Sequence, residues 1–120
     1  MATIRAYTTI EQSRKLAEIL PLESADMYYF RQIDNDYFPP NVESICPIPL
    51  FKDGKEDFNY DIRCWSLAAL LGVLPKYELY NFGDTIQLDV NLEAFATEGD
   101  ETLLDLVVNM IIHLHDLKIL

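Results

Sequence analysis

From Thr85 to Leu92 the chain alternates without exception. Ile86, Leu88, Val90 and Leu92 are apolar, and Thr85, Gln87, Asp89 and Asn91 between them are polar. A period of two is that of an extended strand with one dry and one wet face. Tyr77–Phe82 precedes it, and Asn81–Asp84 with Gly83 supplies turn chemistry, so the two segments read as a hairpin. Phe95 is positioned to continue the dry face after an irregularity near Glu93 and Ala94.

Other segments repeat at helical spacing. Ile10, Leu16, Ala17 and Leu20 share one half of a wheel, opposite Glu11, Arg14, Lys15 and Glu18. Thr9 and Gln12 have capping-box spacing, and Pro21 ends this amphipathic helix. Trp65–Leu74 carries no charge. With Ser66 as its cap, Trp65 and Leu70 fall at staple positions, and Pro75 stops it. Lacking a polar face, this helix is expected at the centre of the fold. A closing helix is predicted from Glu101 to Leu117 with Asp100 as N-cap. Its polar stripe is narrow: Thr102, Asp105, Asn109, His113 and Asp116. Such a helix is either packed on two sides within the chain or shared with a second copy.

Between these elements, Met27–Ile33 is aromatic and β-branched and reads as a strand, followed by a turn at Asp34–Asp36. Residues 37–57 are irregular, because Pro39, Pro40, Pro47 and Pro49 forbid a helix or a long central strand. Two short extended pieces, Ile48–Phe51 and Asp57–Ile62, flank the turn residues Lys52–Lys55. The whole predicts one α+β domain over residues 1–120: a small, mostly antiparallel sheet with about three helices. Two of these, Trp65–Leu74 and the closing helix, pack on its dry face, and the first packs at its edge.

Composition supports a folded chain: of 120 residues half are hydrophobic and 12% aromatic. Charge changes the picture more. Residues 1–76 hold eight Lys and Arg against eleven Asp and Glu. From Tyr77 to Asp116 there are nine acids and no Lys or Arg, so about −8 of the formal −11 belongs to the last third. That field repels nucleic acid and anionic membrane and favours a cationic protein surface. It also serves solubility. Met1–Thr9 has no apolar leader-like core, and Leu103–Leu114 is too short to span a bilayer, so a cytoplasmic protein with reduced Cys46 and Cys64 is expected.

Candidate chemistry is thin. His113 and His115 lie about 200° apart on a helix, so they do not share an ion easily. Asp34–Asp36 lacks the glycine and the bidentate Glu of a calcium loop. Cys64 precedes a helix, where a thiolate is favoured, yet no cysteine-enzyme signature accompanies it. Phosphate-loop and nucleophile-elbow patterns do not occur. The carboxylate pairs Asp84/Asp89 and Glu98/Glu101 have a spacing found in any acidic protein. Tyr28, Tyr29, Phe30, Tyr37 and Phe38 have few cations nearby, which favours a core edge or protein contact over single-strand binding.

Thr9–Leu20 (TIEQSRKLAEIL), Ser24–Tyr28 (SADMY), Cys64–Pro75 (CWSLAALLGVLP) and Asn109–Leu117 (NMIIHLHDL) resemble a group of small uncharacterised proteins. These are encoded by gut Bacteroides-type bacteria, their phages and mobile elements. Glu43–Asp61 departs from their pattern. The resemblance implies a short, intracellular, phage- or element-borne protein and carries no activity, cofactor or site residue with it.

The expectation is therefore a non-enzymatic acidic interaction protein without metal or cofactor. Asp84, Asp89, Glu93, Glu98, Asp100 and Glu101 would meet a basic partner surface, in the sharpest version by occluding a nucleic-acid channel of a host defence complex. The alternatives are a homodimeric phage accessory or structural protein joined through the closing helix, and a small hydrolase using a carboxylate pair or Cys64.

Overall fold

The computed structural model describes residues 6–33, 43–45, 48–52 and 61–120. The turn at Asp34–Asp36, Tyr37, Phe38, Cys46 and most of the Lys52–Lys55 turn lie outside the described residues. In order the elements are α1 (Ile10–Ala17), β1 (Met27–Tyr29), β2 (Arg31–Ile33), β3 (Glu43–Ile45), β4 (Leu50–Phe51) and β5 (Ile62–Cys64). After these come α2 (Leu67–Val73), β6 (Tyr77–Asn81), β7 (Ile86–Val90), β8 (Glu93–Ala96) and α3 (Leu103–Asp116). The fold is α+β, and every strand pairing is antiparallel.

The strands divide among small sheets. β4, β1 and β5 form one in that order, β2 pairs β3, and β6, β7 and β8 form a meander. The segment read as one strand, Met27–Ile33, breaks at the exposed Phe30 and feeds two sheets. Met27, Tyr28 and Tyr29 are all buried, so β1 is covered on both faces between β4 and β5. β4, within the predicted piece Ile48–Phe51, and β5 thus lie on opposite sides of β1, and of the other predicted piece, Asp57–Ile62, residues 57–60 lie outside the described residues.

The centre belongs to α3, not to α2 as its charge-free sequence suggests. Leu104, Leu106, Val107, Val108, Met110, Ile111 and Leu114 are all buried within one chain, because α1, α2, β7 and β8 surround the helix. α2 packs chiefly on α3 and buries only Leu70, with Leu74 just beyond it. Its outward positions are Ala68 and Gly72, one turn apart. A helix without polar residues can sit at the surface when its outer stripe is this small, since little apolar area meets water.

Local chemistry sets the ends. Thr9 caps α1, and the capping box closes with Gln12. α3 begins later than expected. Thr102, not Asp100, is its N-cap, and Asp105 completes the box by accepting from the Thr102 amide at 3.1 Å. Two reciprocal bonds outweigh the single bond Asp100 could make. Gly99, at φ 56°, turns the chain ahead of them. The two boxes are joined, because the Gln12 amide donates to Asp105 at 2.9 Å.

The β6–β7–β8 meander follows the hydrophobic alternation with one correction. Leu88 and Val90 are buried under α3, and Phe95 returns opposite Leu88 on β8. Leu92 does not continue the dry face and is fully exposed. Asn91 adopts φ 60°, a left-handed conformation that asparagine tolerates, and the chain reverses there so that Val90 pairs with Glu93.

Candidate interaction surface

Cys64, the thiol singled out from the sequence, is held within the core. Cys64 is fully buried, and its thiol lies 3.4 Å from Thr8 Oγ1 and donates to the Thr8 carbonyl at 3.5 Å. Burial pushes its pKa above the ordinary thiol value. Thr8 is the hub of this region. Its hydroxyl accepts from the Trp65 amide at 3.1 Å and shares a hydrogen bond with Ser13 at 2.7 Å, and its carbonyl accepts from the Tyr29 hydroxyl at 2.6 Å. The Trp65 indole donates to Ser24 at 2.9 Å.

An open cavity of about 580 Å³ lies beside this network, lined by Tyr7, Met27, Phe51 and Leu67 with Asp26. Both Asp26 oxygens are engaged by Ser66, from its amide at 2.8 Å and its hydroxyl at 2.5 Å. Ser66 in turn accepts from the Ala69 amide, so Asp26 acts as support for the α2 cap. What remains is an apolar wall.

His113 is engaged with β8, and the contacts of Cys64 are with Thr8. His113 Nε2 lies 3.0 Å from Glu93, and its ring is tilted against Phe95 at 5.0 Å. Among the described residues no three His, Cys, Asp or Glu side chains could hold a metal ion. Asp84 lies in the bend before β7, and Asp89, within β7, is paired with Glu78 and Ala94, so the strand register does not set Asp84 and Asp89 face to face. Glu98 and Glu101 both line a cleft of about 330 Å³ between β8 and α3. Glu101 is held there, accepting from the Glu98 amide at 2.8 Å and from Asn109 at 3.1 Å.

Register fixes where the remaining acids sit. Glu78 lies directly opposite Asp89, and Asp89 opposite Ala94. Glu78, Tyr80, Gln87 and Asp89 therefore share the outer face of the meander, away from Leu88 and Val90. Gln87 donates to Asp89 at 2.8 Å, and the Tyr80 hydroxyl donates to Glu78. The Tyr80 phenol is pushed up by that hydrogen bond first, then by the Glu78 charge, with a smaller contribution from Asp89. Tyr80 also stacks on Phe82, with ring centroids 6.3 Å apart.

Asp84 stands in the β6–β7 turn. The end of β8 lies beside it, since the Thr97 amide donates to Ile86 at 2.9 Å. Asp84, Glu98, Asp100 and Glu101 thus gather at one end of the sheet, and Asp89 occupies the outer face. Glu93 is the exception: its pairing with Val90 turns it toward α3, where it meets His113. Among the described residues no Lys or Arg stands within ion-pair distance of these six or of Glu78. Glu78 and Tyr80 were not singled out from the sequence as site residues, although the hairpin register already places Glu78 across from Asp89.

No family model, curated protein or solved structure matches the chain. Among the described residues no helix is long and apolar enough to cross a membrane.

Proposed function

We propose that this chain is a non-enzymatic acidic interaction protein whose last third docks on a basic surface of a larger protein. The observation that carries this reading is the Glu78–Asp89 pair. Two carboxylates directly opposite on adjacent strands repel, and a chain selected for stability alone would place a cation at one of them. Here both stand on an open face beside Tyr80, whose hydroxyl donates to Glu78. Asp84, Glu98, Asp100 and Glu101 extend that acidic face around the end of the sheet. Positive side chains of a partner would relieve the repulsion on docking, which makes the charge a source of affinity and of association rate.

The sharpest form is an inhibitor that lays carboxylates where nucleic-acid phosphates would lie. A phage or mobile-element origin, the implication of the resemblance, suits that role. The experiment is affinity capture from a host lysate with the wild type and with Glu78→Lys/Asp89→Lys/Glu98→Lys, followed by a nucleic-acid-binding assay of the captured protein. The proposal expects a basic protein held by the wild type alone, eluted by salt, and displaced from its nucleic acid. Equal capture by the triple variant contradicts it.

A further inference from the structure

We propose that β6 is the docking element itself, and that it takes an extended cationic segment of the partner as an added strand. This rests on the functional reading above and names how the acidic face is engaged.

Among the described residues β6 is an edge strand without the usual protection. Natural edges are blunted by Lys, Pro, bulges, short length or inward-pointing charges. β6 has none of these. It pairs with β7 through five consecutive residues without a bulge, contains no Lys or Pro, and is exposed at every position. β8, at the other edge, differs. It has four residues, two of them Ala, and it turns Glu93 inward onto His113.

Alternation decides which groups face outward. The Phe82 amide donates to Thr85 at 2.8 Å, so residues 82, 80 and 78 direct their amides and carbonyls to β7. Those of Tyr77, Leu79 and Asn81 then face the open edge. A strand laid there would complete the ladder through three residues, as in β-strand addition.

The two faces specify the occupant. On the outer face an incoming side chain meets Glu78, backed by Asp89, and the exposed ring of Tyr80, which suits Lys or Arg. On the inner face it meets Tyr77 and Leu79, 36% and 39% exposed, which suits an apolar residue. The ligand is thus an extended peptide in which basic and apolar residues alternate. A second copy of β6 fits less well, since it would add its own Glu78 and Asp89 to the same seam.

The test uses the full ¹⁵N-labelled chain and a capped hexapeptide of alternating Lys and Val. Its controls are a Lys₃Val₃ block peptide and two alternating peptides N-methylated either on all Lys or on all Val. Strand addition predicts slowed amide exchange at Tyr77, Leu79 and Asn81. It also predicts that the block peptide binds roughly tenfold more weakly, and that one N-methylation pattern abolishes binding while the other preserves it. Leu79→Pro removes an amide that β7 does not use, so it should keep the fold and lose binding, and Glu78→Gln should weaken binding several-fold. Equal binding of both N-methylated peptides overturns the proposal whether or not the proline variant folds. If those peptides bind equally yet Glu78→Gln and Asp89→Asn weaken them, strand addition falls and the acidic docking surface stands. If no cationic peptide binds, both fall. A wild-type dimer that dissociates on Leu79→Pro assigns the edge to a second copy and overturns the cationic occupant.

Discussion

Thr8 shows how much one small side chain can hold together. Its hydroxyl is the acceptor for the buried Trp65 amide, so Thr8→Val, nearly the same shape, leaves that donor without a partner. The expected loss is about 1–3 kcal/mol in denaturant unfolding, the usual cost of an unsatisfied buried group. Cys64 beside it predicts a pH dependence. Burial holds the proton on the folded chain to a higher pH than on the unfolded one. Above about pH 9 the unfolded chain releases its proton first, and stability falls as pH rises. Cys64→Ala lacks this group, so the gap in Tm between wild type and variant should narrow above that pH. A constant gap would show that the thiol ionises alike in both states.

At the scale of elements, the signals carried by neighbours in the chain were the legible ones. Thr9 and Gln12, Ser66 before α2, and the Asn81–Asp84 turn each act over a few residues, and each appears where the sequence places it. The misplaced features depend on distant partners. Nothing local in Trp65–Leu74 shows that α3 will take the centre, and nothing in Met27–Ile33 shows that β1 and β2 will join different sheets. The start of α3 was legible in principle, since Thr102 and Asp105 have capping-box spacing. Thr102→Ala should therefore cost about 1 kcal/mol in thermal or urea unfolding, and Asp100→Ala close to nothing. Equal costs would return the cap to Asp100. The Glu78–Asp89 pair makes the opposite kind of prediction. Asp89→Lys should raise stability by a few tenths to about 1 kcal/mol while abolishing docking. A variant both less stable and still binding would remove the proposed reason for keeping two carboxylates there.

For the whole molecule, sequence counts the charges but does not say where they point. Of the six acids expected to meet a partner, Glu93 is drawn inward by its register and by His113, a contact twenty positions away. The other five and Glu78 have no Lys or Arg within ion-pair distance among the described residues. Self-repulsion across a chain of net charge −11 should then depress stability at low ionic strength. Raising NaCl from about 20 to about 300 mM should raise Tm, because the Debye length shrinks below the spacing of most surface charges. The most direct test of the central claim is the salt dependence of binding to the captured basic partner, measured by titration calorimetry for the wild type and for Glu78→Gln/Asp89→Asn/Glu98→Gln. Docking through carboxylates predicts affinity that falls at least roughly tenfold over that salt range for the wild type, and weaker, flatter binding for the neutralised variant. Tight binding that ignores both salt and the three substitutions would contradict it.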